Sequence, residues 1–401
     1  MSVAPWLTLV GIGEDGRAGL SPAAQAALAQ ASLIVGGRRH LALLGPVDTE
    51  TLPWASPMDG TYPTLLSRRG TSMAVLASGD PYCYGVGAVL ARIVPAAEMR
   101  CFPQPSAFSL ATARLGWAMQ ECTALSLCGR PIETVVPALR PGARILVLSA
   151  DESTPGQVAT LLRGRGFGAS TLTILEAMGG PRERIRRVVA EGFALDEIDA
   201  LNTIGIEVAG SGEGLSLVPG RPDALFDHDG QITKADIRAV TLARLVPRRG
   251  DVLWDIGAGS GSVAIEWMLA CPSNRAHAVE RNPDRAARIR CNAAALGVPD
   301  LAVVEGAAPE ALAGLPAPDA IFIGGGATGA GVLEACVAAL KPGGRLVVNA
   351  VTIETQALLI ARFRSDGGAL TTLGHAQADA VGGFHGWRPA MPVTMWSWVK
   401  P

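Results

Sequence analysis

The chain has 401 residues, of which 49% are hydrophobic and 17% charged, and its formal net charge is -2. Because a chain of this length exceeds the usual size of a single hydrophobic core, we expect two or three domains. The near-neutral charge excludes a general attraction to nucleic acid or to an anionic membrane, and no apolar stretch approaches the roughly 18 residues of a membrane span. We therefore expect a cytoplasmic globular protein that binds neither nucleic acid nor a membrane.

Short apolar runs alternate with helix-like stretches through the first half of the chain. The runs predict strands at residues 7–10, 33–35, 74–77, 143–148, 172–175 and 203–208. This alternation indicates an α/β fold rather than a sandwich or a helix bundle. Ser21 and Pro22 form a typical helix start, so a helix is expected there. An amphipathic surface helix is predicted around Arg182, Arg184, Arg186 and Arg187.

A change of composition divides the chain after residue 209. Glycines at 210, 212 and 214, followed by Pro219 and Pro222, mark a boundary. We predict one domain at residues 1–209, with lobes at about 1–118 and 119–209, a linker at 210–222 and a second domain at 223–401.

The second domain shows a more regular alternation. A helix is predicted at residues 234–245, and strands are predicted at 251–255, 275–279, 301–304, 319–323 and 345–349. Strands separated by helices imply a mainly parallel, doubly wound sheet with right-handed crossovers. The alternating tail at 392–399 predicts a last strand, paired antiparallel at the edge of this sheet.

The loop at residues 255–261, DIGAGSG, is the main motif of the second domain. It lies between a predicted strand and a helix, which brings backbone N–H groups against a nucleotide-like ligand. A dinucleotide motif, G-x-G-x-x-G, would need its third glycine at Ser262. Instead, Glu280 closes the next strand, where its carboxylate can accept hydrogen bonds from both hydroxyls of a ribose. The combination resembles the S-adenosylmethionine site of Rossmann-like methyltransferases.

The first domain has a glycine motif of its own, GIGEDG at residues 11–16, which does match G-x-G-x-x-G. However, the helix that should open there starts only at Ser21, and the next strand ends in Gly36 and Gly37, where a nicotinamide enzyme would carry a carboxylate. A dinucleotide is therefore the less favoured ligand of this motif.

Four segments of the first domain are informative together: VGIG at 10–13, LASGDPYCYGVG at 76–87, PSA at 105–107 and LSLCGR at 125–130. They resemble the tetrapyrrole methylase family, whose two-lobed members hold S-adenosylmethionine in a cleft. The resemblance implies cofactor contacts from Gly11, Gly13, Gly79, Asp80, Tyr84, Ser106 and Ala107. Without it, the Gly-Asp-Pro sequence would indicate only a tight turn with Asp80 as a helix cap.

The second domain contains FDHDGQITK at 226–234, the loop and helix at 255–267, APEAL at 308–312, FIGGG at 322–326 and KPGGRL at 341–346. These segments resemble the decarboxylating precorrin methyltransferases of cobalamin synthesis. The resemblance implies cofactor contacts from Thr233, Gly257, Ala258, Gly259, Ser260, Gly261, Glu280 and Ala308. Relatives often have an acidic residue where this chain has Ala307, so a carboxylate contact to adenine cannot be assumed.

Together the resemblances imply a bifunctional enzyme with two S-adenosylmethionine sites, one in each domain. It would methylate ring carbons 5 and 15 of a precorrin and release an acetate carboxyl group as CO2. Methyl transfer from a sulfonium depends on alignment and exclusion of water more than on reactive side chains. A protonated ring imine can receive the electrons of the leaving carboxylate, so neither a metal nor a pyridoxal group is expected.

Few side chains are candidates for binding the precorrin or for its chemistry. The catalytic candidates are Asp80, Glu266 and Asn349. The candidates for substrate binding are Gly324, Gly325 and Gly326, which leave room for a macrocycle, and the arginines Arg38 and Arg39, with Arg68 and Arg69 as further candidates for its carboxylates. The acidic segment at 227–229 is expected to be a loop rather than a metal site. Seven cysteines without a C-x-x-C pair indicate free thiols.

Two other interpretations stay open. The chain could be an NAD(P)-dependent oxidoreductase built on either glycine motif, or one domain could be a non-catalytic module that holds the precorrin. Binding measurements with both cofactors, and each domain assayed alone, would distinguish these interpretations. A symmetric homo-oligomer is the general expectation for such enzymes.

Overall fold

The computed structural model describes residues 5–401, and the chain divides into two compact units. The first unit contains the described residues up to Ile132 and Ala138–Glu213, and the second contains Glu133–Pro137 and Gly214–Pro401. The division falls inside the predicted linker, and the second part of that linker belongs to the second unit. Both units alternate strands and helices, which confirms the predicted α/β class.

The first unit begins with a five-stranded parallel sheet. Its strands are β1 (Leu7–Ile12), β2 (Leu33–Gly36), β3 (Glu50–Pro53), β4 (Met73–Ser78) and β5 (Met99–Phe102), in the order β3-β2-β4-β1-β5. The helices are α1 (Pro22–Ala29), α2 (Arg38–Leu44), α3 (Tyr62–Ser67), α4 (Val86–Leu90) and α5 (Ala107–Leu115). The start of α1 is confirmed, since the Ser21 hydroxyl accepts a hydrogen bond from the backbone N–H of Ala24. Because β1, β2 and β4 are buried on both faces, their sequences are mostly apolar, with Thr8 and Ser78 as the polar exceptions.

A second five-stranded sheet belongs to the same unit. Its strands are β6 (Cys122–Ser126), β7 (Arg144–Leu148), β8 (Thr171–Glu176), β9 (Arg184–Val189) and β10 (Asn202–Glu207), in the order β6-β7-β10-β8-β9, with α6 at Thr154–Gly164. Strands β6 and β7 pair in parallel, and the other pairs are antiparallel. The sequence had not predicted β3, β5, β6 or β9.

The helix predicted around Arg182 to Arg187 is wrong, because this segment contains the edge strand β9. Arg184 and Arg186 lie on one face of the strand, and both pair with the carboxylate of Glu176, whose side chain is only 1% exposed. A buried carboxylate requires such partners. The arginines therefore hold β9 on its neighbour β8, and their spacing of two residues is the period of a strand.

The second unit contains a seven-stranded sheet and a separate hairpin. Its strands are β11 (Val252–Ile256), β12 (Arg275–Glu280), β13 (Ala302–Glu305), β14 (Ala320–Ile323), β15 (Arg345–Ala350), β16 (Ala369–Leu373), β17 (Ala376–Val381), β18 (Phe384–Pro389) and β19 (Val393–Val399). Its helices are α7 (Ala235–Leu245), α8 (Ser262–Ala270), α9 (Pro283–Ala295), α10 (Val332–Ala339) and α11 (Ile353–Asp366). The sheet order is β13-β12-β11-β14-β15-β19-β16, and β17 pairs with β18.

The strands predicted for the second unit are confirmed, with one difference at the end of the chain. Strand β19 is antiparallel to its neighbours, as predicted, but it lies between β15 and β16 rather than at the edge. The unpredicted strand β16 covers its outer side. Short 3-10 helices in the two units lie at Gly16–Gly19, Met58–Thr61, Ala96–Glu98, Met119–Glu121, Ile132–Ala138, Ala190–Gly192, Asp223–Leu225 and Glu310–Leu312.

Apolar side chains cover both faces of the seven-stranded sheet. Trp267 and Phe322 belong to the core on one face, and Leu346 and Trp396 belong to the core on the other. The carboxyl ends of the parallel strands remain at one edge, where ligands bind to such sheets. Within residues 5–401, no helix has both the length and the apolar character that a membrane crossing requires.

Candidate functional site

The first unit contains a cavity of about 410 Å³ beyond the carboxyl ends of β1 and β4. This volume is within the usual range of small-molecule sites, roughly 300–1,000 Å³. The structure places these predicted residues on the cavity wall: Gly13, Arg39, Gly79, Asp80, Tyr84, Ser106 and Ala107. The wall also includes Leu148 and Thr203 from the second sheet, so both sheets of the unit contribute.

Gly11 does not lie on this wall, although it was a predicted cofactor contact. A Cβ atom on Gly11 would lie 1.8 Å from the carbonyl oxygen of Gly79. Gly79 has a φ of +50°, and a Cβ atom there would lie 2.6 Å from the carbonyl oxygen of Pro105. Both glycines therefore allow the close backbone approach that shapes the cavity, and Gly79 also faces its interior.

The loop after β4 is fixed by two of the predicted residues. Asp80 accepts a hydrogen bond from the backbone N–H of Tyr82 at 2.9 Å, which closes the tight turn. The Tyr84 hydroxyl donates to the carbonyl oxygen of Ala124 at 3.2 Å, and its ring packs edge-on against Phe108. Tyr84 thus ties the loop to β6 and keeps its ring at the cavity.

A network of charged and polar groups lies at the same cavity. Glu14, whose side chain is 8% exposed, pairs with both Arg39 and Arg182. Arg39 also donates to the Ser78 hydroxyl at 2.7 Å, so the proton of that hydroxyl is free to bond Nε2 of His40 at 2.8 Å. Burial, and then the charge of Arg39, lower the pKa of His40 to about 4. His40 is therefore neutral at physiological pH.

The other predicted carboxylate-binding arginines do not lie on the wall of this cavity. Arg68 pairs with Glu50, and Arg69 pairs with Glu98. Their charges are therefore matched by carboxylates of the chain itself. Arg38, a predicted substrate contact at the start of α2, does not lie on the cavity wall either. Its neighbour Arg39 does.

The second unit contains a cavity of about 600 Å³ at the carboxyl edge of its sheet. The structure brings together on its wall these predicted residues: Thr233, Gly257, Ala258, Gly259, Glu280, Ala308, Gly324, Gly325, Gly326 and Asn349. The sequence had not indicated Arg281, Arg285 or Met391, which also line the cavity. The position of Arg281 directly after Glu280 could have identified it as a wall residue. Met391 could not be identified in this way, because it follows the hairpin of β17 and β18, which the sequence had not predicted.

The glycine loop of the second unit is held by Glu280. Gly257, Gly259 and Gly261 have φ angles of +67°, +60° and +76°, a conformation that favours glycine. The Glu280 carboxylate accepts hydrogen bonds from the backbone N–H groups of Gly259 and Asn282, each at 2.9 Å. Since each carboxylate oxygen has two lone pairs, Glu280 can also accept hydrogen bonds from the hydroxyl groups of a ligand.

Two of the predicted cofactor contacts in the second unit, Ser260 and Gly261, do not lie on the wall. Ser260 is buried, and its carbonyl oxygen accepts a hydrogen bond from Asn292. Gly261 directly precedes α8, and a Cβ atom on it would lie 2.7 Å from the side chain of Ile289. Both residues shape the loop from behind.

The catalytic role predicted for Glu266 does not agree with its position. Glu266 is fully buried on α8 and pairs with Arg238 at 2.9 Å and with Arg221 at 3.7 Å. It also accepts hydrogen bonds from the backbone N–H groups of Gly220 and Arg221. Glu266 therefore anchors the segment before α7 on α8, because a buried carboxylate must be neutralised where it lies.

Asp255, at the start of the glycine loop, was not predicted to have a separate role. One oxygen of its buried carboxyl group accepts a hydrogen bond from the backbone N–H of Ala264 at 3.0 Å. Burial raises its pKa to about 7; the Ala264 bond lowers it, and the charge of Glu280 raises it further. A carboxyl group that is partly protonated near neutral pH thus lies behind the loop.

The acidic segment at 227–229 is a loop, as predicted. Asp229 pairs with Arg285 at 2.8 Å, and Asp227 pairs with Arg288 at 3.3 Å. The hydrogen bonds from Arg285 and from the loop backbone lower the pKa of Asp229 to about 2. In the part of the chain that the structure describes, no cluster of His, Cys, Asp and Glu side chains is suited to hold a metal ion.

Two family models match the chain. The model described as tetrapyrrole (corrin/porphyrin) methylases matches residues 6–194, and the precorrin methyltransferase domain matches residues 224–400. These matches confirm the two families that the motifs indicated.

Curated relatives extend these matches. Over 402 residues the chain is 53% identical to a Sinorhizobium sp protein named precorrin-6Y C(5,15)-methyltransferase (decarboxylating), covering 99% of this chain and 97% of the relative. It is 39% identical over 142 residues to a probable cobalt-precorrin-6B C(15)-methyltransferase (decarboxylating) of Pyrobaculum calidifontis, covering 34% and 72%. It is 30% identical over 179 residues to the cobalt-precorrin-7 C(5)-methyltransferase of Salmonella typhimurium, covering 45% and 88%.

Proposed function

The chain belongs to the family of precorrin-6Y C(5,15)-methyltransferases (decarboxylating), and we propose that its two cavities are two separate S-adenosylmethionine sites. As a member of this family, the chain methylates a precorrin and removes a carboxyl group in cobalamin biosynthesis. The family assignment replaces the oxidoreductase interpretation. The number of cofactor sites and the division of the reaction between the units are our proposals.

The observation that carries the proposal of a cofactor site in the second unit is the glycine loop with Glu280 beside it. A Cβ atom on Gly257 would lie 2.7 Å from the carbonyl oxygen of Gly325, so only glycine allows the loop to pass this strand end. The N–H groups of Gly257 and Ala258 bond to the carbonyl oxygen of Val279, and that of Gly259 bonds to Glu280, so the loop presents a closely approaching backbone rather than free donors. This backbone and a carboxylate with free lone pairs line one wall, which fits an amino acid joined to a ribose. Gly257, Ala258 and Gly259 would hold these groups.

The remaining wall residues fit the two ends of the cofactor and the macrocycle. Ala308 would lie beside the adenine, and Thr233 would close the site from the preceding segment. A Cβ atom on Gly325 or Gly326 would meet no atom within 4 Å, so this edge offers open space beside the loop. When bound, S-adenosylmethionine supplies an electrophilic methyl group. The protein contributes alignment of the acceptor carbon and exclusion of water.

In the first unit, the cofactor would lie against the turn at Gly79 and Asp80 and the start of α5 at Ser106 and Ala107. The Ser106 hydroxyl caps α5 by accepting a hydrogen bond from the backbone N–H of Ser109 at 3.1 Å. Two wall segments, each fixed by its own turn or cap, thus face the same cavity. Arg39 pairs with Glu14, but it lies on the cavity wall and its guanidinium has further N–H groups, which would meet a carboxylate of the precorrin there.

We assign methylation of carbon 15 and decarboxylation to the second unit, and methylation of carbon 5 to the first. Support comes from the motifs of the second unit, which resemble the decarboxylating precorrin methyltransferases. Relatives named for a single position, C(15) or C(5), match 34% and 45% of this chain, so each reaction is associated with a protein similar in size to one unit.

The test is a reaction of the full chain with its precorrin and S-adenosylmethionine, followed by mass spectrometry. We expect a product with two added methyl groups and one CO2 lost. Equilibrium dialysis should show two S-adenosylmethionine molecules bound per chain and no tight binding of NAD(P). One bound cofactor, or one added methyl group from the intact chain, would contradict the two-site proposal.

We further propose that the protein is a cytoplasmic homo-oligomer. The hairpin exposes Phe384 and Trp387, on its two opposite faces, to 81% and 77%, and a second copy of the chain can cover such apolar side chains. Its seven cysteines are all free, which suits a reducing compartment. Light scattering should give a mass above 41.3 kDa, and substituting serine for Phe384 and Trp387 should lower that mass.

A further inference from the structure

Asn349 lies on the wall of the second cavity, at the carboxyl end of β15. The sheet order β12-β11-β14-β15 places it two strands from β11, about 10 Å away at the usual strand spacing. Glu280 is the last residue of β12, which lies on the opposite side of β11. Asn349 is therefore remote from the groups that would hold the ribose, and it lies beyond the open space at Gly325 and Gly326.

The hydrogen bonds around Asn349 fix the orientation of its amide. The Thr241 hydroxyl donates its single proton to the carbonyl oxygen of Ile237 at 2.8 Å. It can then only accept a hydrogen bond from Asn349, whose Nδ2 lies 2.9 Å away. The amide nitrogen of Asn349 therefore faces Thr241, and the remaining position belongs to Oδ1.

The Oδ1 atom of Asn349 is buried, and no group in residues 5–401 donates a hydrogen bond to it. Buried acceptors are normally paired, so an unpaired one on a cavity wall indicates a donor that arrives with a ligand. The neighbouring wall residues Ile237, Val351 and Val393 are apolar. In such surroundings a hydrogen bond to a charged N–H group is strengthened.

We infer that Asn349 is a catalytic residue for decarboxylation, because its Oδ1 accepts a hydrogen bond from a protonated ring nitrogen of the precorrin. The inference rests on the proposed function of the second unit. An amide oxygen suits this task better than a carboxylate, because it stabilises the N–H cation without taking its proton. The protonated imine thus keeps its full positive charge.

The step needs no oxidant or reductant. The bond between the acetate methylene carbon and its carboxylate breaks, and CO2 leaves. The electron pair of that bond enters the conjugated ring system and neutralises the imine nitrogen, which keeps its proton. The exocyclic methylene carbon then takes up one proton and becomes a methyl group. Asn349 lowers the barrier by stabilising the charge that receives the electrons.

The central experiment replaces Asn349 by leucine, which has a similar shape and no acceptor, in the full chain. We expect CO2 release to fall about 100-fold, while S-adenosylmethionine affinity stays within about twofold and methylation by the first unit is unchanged. Asn349→Asp keeps an acceptor oxygen and should retain more decarboxylation than Asn349→Leu. Thermal unfolding of each variant shows whether the unit is folded.

Thr241 is a positioning residue in this arrangement, and its variants give an independent test. Thr241→Val should slow CO2 release about 10-fold by freeing the amide to turn, and Thr241→Ser should restore the rate. Thr372→Val, on the outer strand β16 and off the cavity wall, is the matched control and should have no effect. A structural role alone would be seen as lower stability without this rescue of the rate.

Three results would overturn the inference. The first is a rate of CO2 release in Asn349→Leu within twofold of that of the unchanged chain. The second is a loss of cofactor binding in Asn349→Leu. The third is a rate of CO2 release in Thr241→Ser as low as that in Thr241→Val. The second result would mean that Oδ1 meets the ammonium group of the cofactor. In each case the unchanged chain would still methylate twice and decarboxylate. Failure of that reaction in the unchanged chain would instead reject the proposed function.

Discussion

The two cavities differ in how the chain builds them. The second is formed at one edge of a single sheet, and its glycine loop and Glu280 are only 21 residues apart in sequence. The first is lined by segments from two sheets and carries a network that joins Glu14 to Arg182, 168 residues away. If both cavities bind S-adenosylmethionine, as we propose, the same cofactor is held by a local backbone loop in one unit and by a wall assembled from distant segments in the other. The two sites should therefore respond differently to single substitutions.

The largest expected effect separates the two sites outright. Gly259→Arg places a long side chain in the loop of the second unit, where even a Cβ atom would lie 3.1 Å from the carbonyl oxygen of Gln231. We expect one methylation and the decarboxylation to fall at least about 1,000-fold, while the other methylation continues. Mass spectrometry of the products measures both reactions.

Gly250→Arg is the matched control for this variant. Gly250 also has a positive φ, +85°, but a Cβ atom there would meet nothing within 4 Å, and it lies off the cavity wall. The Gly250→Arg variant should carry out both methylations and the decarboxylation at the normal rates. Loss of both methylations in Gly259→Arg alone would argue against independent sites.

The reciprocal variant is Gly79→Arg in the first unit. A Cβ atom on Gly79 would lie 2.6 Å from the carbonyl oxygen of Pro105, so the turn must move away from the start of α5. We expect one methylation to fall about 100-fold with decarboxylation retained. The control is Gly142→Arg, whose Cβ atom would meet nothing within 4 Å. If CO2 release also stops in Gly79→Arg, the reactions are not divided between the units as we propose.

The sequence indicated features that depend on neighbours along the chain. Glu280 was found because it ends the strand after the glycine loop, and Ser21 because a cap needs only the next turn. The unpaired oxygen of Asn349 depends on Thr241, which is 108 residues away, so no local pattern shows it.

The wrong predictions have the same cause. Whether Glu266 faces the cavity or the core is decided by Arg221 and Arg238, because α8 is apolar nearly all round. Strand β9 was taken for a helix because its pairing with the buried Glu176 on β8 is also a tertiary contact. Its spacing of arginines at every second position was the signal that could have identified it.

A smaller effect is expected from Glu280→Gln, which tests the local construction of the second site. A glutamine has one acceptor oxygen, so it cannot accept from both Gly259 and Asn282 while also meeting a ribose. We expect about 30-fold weaker cofactor binding at one site and unchanged binding at the other, as measured by calorimetry. Two equally weakened sites would contradict the assignment of Glu280 to the second cavity.

The pH dependence of stability should also differ between the units. Burial raises the pKa of Asp255 to about 7, above its ordinary 3.8, so the folded second unit binds more protons than the unfolded chain between these values. Its stability therefore falls as pH rises through this range. From pH 5.5 to 7 we expect a loss of about 1–2 kcal/mol relative to Asp255→Asn, measured by hydrogen exchange of the β11 amides. Equal slopes in the two proteins would contradict the raised pKa.

His40 gives the opposite sign in the first unit, with the smallest effect. Burial lowers its pKa to about 4, below the ordinary 6.5, so the unfolded chain binds more protons between these values. The stability from neutral His40 is present above pH 6.5 and is lost as pH falls toward 4. From pH 7 to 5.5 we expect the stability of the first unit to fall by about 1 kcal/mol relative to the His40→Gln variant. Hydrogen exchange of the β4 amides measures this change. Because Asp255 stabilises the second unit over the same interval, acidification should weaken β4 and strengthen β11 within one molecule. Parallel changes at both strands would show that neither buried group controls its own unit.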